Sequence, residues 1–426
     1  MRTFLMIALL TASTATLAAG PQTEDLQSVI EAQQQQIDLL LKQLDETREV
    51  VLELKEQVDA NSQVASEANE KAEILADSME TQSASPYTTT DKQFAGYTRA
   101  GQSYFGGYGE LHVNMLENQA NGGDFNEIDF HRFVLYFAHD FNERTRFMSE
   151  LEIEHALSGD GQPGEVELEQ AYVEYDWATN QSLRAGVFLI PVGILNETHE
   201  PPTFYGVERN PVEKNIIPTT WWEAGLQAHG GFADAWRYDA AIHSGLYTTA
   251  DDNYTVRAGR QKVAKAKFDS GAATGRIRWL GVPGLELSAS IQYQDDITQE
   301  TDPTAGSAWL YTGHVSWRHK AFGLRALYAG WSLDGEGPEA IGADRQNGWY
   351  IEPSWRFNDK WGVFARYNRW DNKAGNSDDT EYSQWDIGVN YWLHPNVVFK
   401  LDYQDQDAPD GKKELDGWNL GVGYQF

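Results

Sequence analysis

The chain of 426 residues has no cysteine, which excludes a disulfide framework and a thiolate metal site. No segment approaches the roughly 18 consecutive apolar residues that a membrane-crossing helix needs, so a helical membrane protein is excluded as well. Positive charge is scarce. Lys and Arg number 33 against 64 Asp and Glu, a net charge of -31, and nucleic acid is not expected as a partner of so acidic a surface. The motifs of hydrolases and nucleotide-binding enzymes are missing: there is no G-x-S-x-G, no H-E-x-x-H and no phosphate-cradling glycine loop. Catalysis, a metal and a cofactor are therefore not expected.

What the chain has instead is aromatic residues and alternation, with 15 Trp and 20 Tyr. The closing stretch DGWNLGVGYQF sets Trp418, Leu420, Val422, Tyr424 and Phe426 against Asn419, Gly421, Gly423 and Gln425. That is a strand with one apolar face and one small or polar face, ending on an aromatic residue. It suits the last strand of an outer-membrane barrel, which closes the cylinder and faces lipid on one side. Asn419, Gly421, Tyr424 and Phe426 resemble the signal read by the barrel-assembly machinery. A mean hydropathy of -0.55 agrees, because only alternate residues of a barrel strand face lipid.

The first 80 residues follow other rules. Residues 1–20 read as a secretory signal peptide, with Arg2, an apolar run from Phe4 to Leu10 and small residues before Gly20. Residues 22–80 contain neither Pro nor Gly and keep a seven-residue beat. One set is Ile30, Ile37, Leu44, Val51, Val58, Ala65, Ala72 and Met79; the other is Leu26, Gln33, Leu40, Thr47, Leu54, Asn61, Ala68 and Leu75. Sustained heptads predict an α-helical coiled coil, and hence partner chains. Residues 81–95 are polar with one Pro and read as a linker.

From residue 96 the period becomes two. Sixteen strands are predicted: 104–116, 127–140, 145–157, 165–177, 182–190, 220–232, 236–247, 270–281, 285–295, 308–319, 323–333, 347–358, 361–371, 382–394, 397–405 and 416–426. Every second connection is short and the others are longer, the outer-membrane pattern of tight periplasmic turns and external loops. The expected fold is all-β: a 16-stranded antiparallel transmembrane β-barrel over 96–426, with the N-terminal coiled coil in the periplasm. The third long loop, 191–219, carries five prolines and is expected to fold into the lumen and narrow it.

Alternation also sorts the charges. Arg132 and the triplet Glu150, Glu152 and Glu154 are expected inside, with Glu110, His112, Glu174 and Asp176. The same rule turns Arg276, Arg278, Arg318, Arg356, Arg366 and Lys400 inward, so that an acidic arc on early strands would face a basic arc on late ones. The third loop adds Glu197, Glu200, Arg209 and Lys214 to the aperture. A second basic cluster, Arg257, Arg260, Lys262, Lys265 and Lys267, occupies the fourth loop, with solute anions, lipopolysaccharide phosphates or a neighbouring protomer as its possible partners. Of the tryptophans, Trp309, Trp317, Trp349, Trp355 and Trp385 fall in the lipid-facing phase or at strand ends, and Trp392 faces inward.

Three stretches resemble the phosphate-selective porin O and P family: EIDFHRFVLYFAHDFNERTRFMSELEIEHA at 127–156, AYVEYDWATNQSLRAGVFLIPVGI at 171–194 and NPVEKNIIPTTWWEAG at 210–225. The resemblance implies a homotrimer of sixteen-stranded barrels and a passive channel for small hydrophilic solutes in the bacterial outer membrane. It carries the anion contact over to Arg132 alone, since His131 and Leu189 stand where that family tends to have Arg and Lys. The preference it implies is thus weakly for anions or phosphate. A cation-preferring or sugar channel and a coiled-coil barrel bracing the envelope are the other readings of the same residues.

Overall fold

The structure, a computed structural model, describes residues 101–120 and 122–426, and six helical, exposed positions: Glu31, Gln34, Asp38, Lys42, Glu49 and Lys55. None of those six belongs to the two heptad core sets. The expected signal peptide, the rest of the coiled coil and the linker lie outside the described residues.

Residues 103–425 form sixteen strands. The first eight are β1 (Ser103–Asn118), β2 (Phe125–Asp140), β3 (Thr145–Glu154), β4 (Val166–Ala178), β5 (Gln181–Leu189), β6 (Trp222–Ala233), β7 (Trp236–His243) and β8 (Ala272–Val282). The others are β9 (Leu285–Gln294), β10 (Ala308–His319), β11 (Phe322–Leu333), β12 (Arg345–Arg356), β13 (Trp361–Asp371), β14 (Tyr382–His394), β15 (Val397–Asp407) and β16 (Leu415–Gln425). Each pairs antiparallel with its sequence neighbours, and β16 returns to β1, so the sheet has no free edge. Closure satisfies every strand's backbone within the barrel, the condition for spanning lipid with strands.

The two faces divide as alternation demands. Phe137, Leu151, Val173, Leu226, Ile277, Ile291, Ile351 and Leu401 are exposed on the outside. Trp309, Trp349, Trp355, Trp385 and Trp418 join them there. Glu110, Arg132, Glu150, Gln227, Arg276, Arg366 and Asn419 are buried on the inside. Tryptophan departs from expectation in the interior: besides Trp392, Trp221, Trp222, Trp331 and Trp370 are buried there.

Alternation breaks at bulges, and one matters for the site. Between β3 and β4, Glu150 pairs with Gln170 and Leu151 pairs with Leu168, so Glu169 is an extra residue in β4. Such a bulge re-aims side chains. Glu167, Glu169, Gln170 and Tyr172 are all buried in consequence.

The interior is filled by the third loop. Its apolar residues Ile190, Val192, Ile194, Leu195, Phe204, Val212, Ile216 and Ile217 form a buried cluster with the inward aromatics Tyr108, Tyr136, Tyr350, Trp221 and Trp331. Burying each large aliphatic side chain contributes about 1.5–3 kcal/mol, enough collectively to hold the loop off the external surface. Close approach on the far wall requires glycine: a Cβ placed on Gly423 of β16 would lie 2.1 Å from Pro201 Cβ.

Candidate functional site

The third loop is tied to the wall on several sides. Lys400 Nζ donates to Gly206 O at 2.7 Å, Arg325 Nη2 to Thr203 O at 2.8 Å, and Trp331 Nε1 to Ile216 O at 2.9 Å. Trp392 Nε1 reaches Pro202 O at 3.3 Å, and the Val207 amide donates to Asp402 Oδ2 at 2.6 Å. From the opposite side Arg132 Nη2 donates to His199 O at 2.8 Å. Within the loop, Glu213 is fully buried and gathers the chain around its carboxylate. It accepts from the amides of Ile194 and Leu195 at 2.5 and 2.7 Å, from Asn210 Nδ2 at 3.0 Å and from Tyr350 Oη at 2.9 Å.

A cavity of about 140 Å³ remains between loop and wall. Glu152 and Glu154 of β3 and Glu167 and Glu169 of β4 line one part of it; Arg209, Lys214, Arg257 and Arg260 of the third and fourth loops line another. The two loops are laced together here. Arg257 Nη1 donates to Lys214 O at 2.6 Å and Thr219 O at 3.1 Å, and Arg260 Nη1 donates to Thr220 O at 2.8 Å. Arg209 Nη1 donates to Thr220 Oγ1 at 2.9 Å. These partners are neutral, so the cationic charge is not cancelled by them. Burial, then Arg260 and Arg209, push the Arg257 guanidinium down to about 9, the mark of cations crowded against one another.

The nearby carboxylates are in large part neutralised. Arg132 Nε holds Glu110 Oε1 at 2.6 Å, and His112 lies 3.2 Å from Glu110 and 3.0 Å from Glu208. Glu174 is shared by Arg146 at 3.1 Å and by Arg184. Lys262 pairs with Glu167, and with Glu165 at 2.9 Å. Glu150 is buried against Gln170 Nε2 at 2.6 Å. His199 of the third loop stands 3.6 Å from both Glu150 and Glu169.

The arrangement corrects the expected pair of facing arcs. Late-strand cations do face inward, yet most are spent on wall carboxylates or on the loop. Arg276 pairs with Asp239 at 2.8 Å and with Glu197, which thereby becomes a loop anchor, and Arg278 lies 3.7 Å from Asp239. Arg366 bridges Glu352 at 3.2 Å and Asp386 at 3.0 Å. Arg318 and Arg356 sit at the short-turn ends of β10 and β12, and Arg356 packs 4.2 Å over the Trp392 ring. Cross-strand partners on neighbouring strands, which alternation within one strand does not reveal, account for the difference. Glu200 accepts from Tyr136 Oη at 3.4 Å.

The fourth-loop cluster also divides. Arg257 and Arg260 line the cavity and Lys262 is paired; Lys265 is exposed, and Lys267 lies 4.2 Å over the Tyr247 ring. At the terminus, Asn419 is buried and takes a bond from Asn114 Nδ2 at 2.8 Å, Gly421 packs beside Val207, and Tyr424 stacks with the exposed Phe426. Sequence reasoning missed Glu167 and Glu169, which the bulge turned inward, and Glu213. The strictly spaced Glu165, Glu167 and Glu169 were the signal available for the first two.

Comparison with known proteins agrees with this architecture. A family model described as Gram-negative porin matches residues 225–411. An uncharacterized protein of Aquifex aeolicus (strain VF5) is 32% identical over 361 residues, covering 75% of this chain and 79% of that protein. The structure of OmpF from Salmonella typhi in complex with daunomycin is similar with a TM-score of 0.55 at 15% identity, covering 77% of this chain and 98% of that one. The anion-selective porin from Comamonas acidovorans is similar with a TM-score of 0.54 at 13% identity, covering 76% and 100%. At these identities the two structures speak for the fold.

Proposed function

We propose that the chain, which belongs to one family with the Aquifex aeolicus protein and matches a Gram-negative porin model over residues 225–411, is an outer-membrane porin, a passive diffusion channel for small hydrophilic solutes with a preference for anions. One observation carries the preference. Arg209, Lys214, Arg257 and Arg260 line the cavity beside the third loop, and among the described ion pairs none of the four is matched to a carboxylate. A permeating ion responds to net field, so unmatched cations count for more than paired acids. Glu152 and Glu154 moderate the preference rather than reverse it. The likeness in fold to the anion-selective porin from Comamonas acidovorans is in keeping with this reading.

The same reading takes the heptads of 22–80 as the coiled coil of a homotrimer, set in the periplasm. It takes exposed Lys265 as a contact for lipopolysaccharide phosphates and the Asn419–Phe426 pattern as the segment presented to the assembly machinery. Phosphate is the natural oxyanion for the arginine pair, since guanidinium groups bind it through two parallel bonds. The test is the reversal potential across a planar bilayer under a tenfold KCl gradient, where ideal selectivity would give about 59 mV. The expected potential lies on the chloride side, and inorganic phosphate lowers the chloride current. A cation-side potential with no effect of phosphate would overturn the proposal.

A further inference from the structure

We propose that Glu150, Glu169 and His199 form a binding site for a divalent transition-metal ion of the zinc class, which clamps the third loop to the barrel wall. The three side chains are each at least nine-tenths buried, and their donor atoms lie within 4.8 Å of one another. Three donor atoms converge there. Glu150 Oε1, Glu169 Oε2 and His199 Nε2 are buried and have no hydrogen-bond partner. Nε2 is 3.6 Å from each of the two oxygens, beyond hydrogen-bond range. Ligands about 2.0–2.1 Å from a tetrahedral zinc ion stand about 3.3–3.4 Å apart, so a small contraction would bring all three into coordination.

The surroundings prepare the ligands. His199 Nδ1 is 3.2 Å from Asn196 O. A proton on Nδ1 donated to that carbonyl leaves the Nε2 lone pair free for a metal, the usual support for a metal-bound imidazole. Gln170 Nε2 orients Glu150 through its other oxygen at 2.6 Å. The β4 bulge is what makes the set possible, because it places Glu169 beside Gln170 on the inner side, opposite Glu150.

Two carboxylates converging on one buried point suit a divalent cation, whose charge offsets the cost of burying them together. One nitrogen and two carboxylate oxygens from protein suit zinc-class ions. Calcium takes six to eight oxygen ligands, and magnesium holds octahedral oxygen shells. The ion's place follows from the elements it joins: two ligands are on the wall strands β3 and β4, and the third is on the loop that narrows the lumen. Metal occupancy would therefore set how firmly that part of the loop is held.

The test uses the full-length folded barrel in detergent, stripped with chelator and titrated with Zn²⁺ against a fluorescent competitor, then with Co²⁺ to read the visible absorption of its coordination shell. The expected result is one strongly bound Zn²⁺ per chain and a Co²⁺ spectrum of low coordination number. His199→Ala and Glu169→Gln should each weaken binding by at least about 100-fold, the upper end for loss of a supporting group. Heat-modifiable migration checks folding of both variants, and Glu169→Gln is read alone if His199→Ala does not fold. A wild-type barrel that binds no Zn²⁺ at micromolar concentration, or one whose affinity is unchanged in the folded variant, overturns the proposal.

Discussion

Replacing Arg257 and Arg260 together by alanine moves the reversal potential toward the cation side and removes most of the block by phosphate. The size follows from Coulomb's law. A unit charge about 8 Å from a passing ion is worth roughly 0.5 kcal/mol in water and 2 kcal/mol at an effective dielectric of 20. At about 1 kcal/mol each, the two arginines together account for roughly a 30-fold change in anion permeability, with an opposite change for a cation. Both arginines also hold backbone carbonyls of the third loop, so charge and support must be separated. Arg257→Lys with Arg260→Lys keeps the charge and loses the planar fork; it should retain the potential and lose phosphate affinity. Glu154→Gln, on the other side of the cavity, should strengthen anion preference. An unchanged potential in the double alanine variant would mean that these cations do not set the field.

Glu213→Ala carries the second large effect, and it acts on the aperture rather than the charge. The substitution strands two backbone amides, Ile194 and Leu195, together with Asn210 and Tyr350 in a buried site. Each stranded buried donor costs about 1–3 kcal/mol, and the loop rather than the strand ladder absorbs that cost. The expected variant still migrates as a folded barrel before boiling, while its single-channel current becomes larger and noisier. Glu213→Gln keeps an acceptor for part of the set and should fall between. A wild-type current from Glu213→Ala would show that the loop is held by its apolar residues alone.

The barrel was legible because its rule is local. Alternation and the short–long rhythm of connections placed all sixteen strands within a few residues of where they lie, β10, β13 and β14 with the same bounds. The inward phase of Glu150, Glu152 and Arg132 was legible for the same reason. Glu169 was not, since a single inserted residue in β4 changes the face of everything beyond it. Nor was the fate of Arg276 or Arg366, whose partners Asp239, Glu352 and Asp386 belong to adjacent strands and depend on register. The third loop was picked out by its prolines and its ordinal position. Its isoleucines, valines and phenylalanine carry the stronger physical reason: a loop this apolar gains more inside the lumen than in water.

A loop that makes so many contacts raises the question of whether the lumen conducts at all. The central claim is that a water-filled path survives beside it, through the cavity lined by Arg257, Arg260, Glu152 and Glu154. Single-channel recording of the purified, heat-modifiable protein in a planar bilayer tests this directly. The account predicts discrete, ohmic current steps in KCl that inorganic phosphate reduces. A folded barrel that inserts into the bilayer yet passes no current would contradict it.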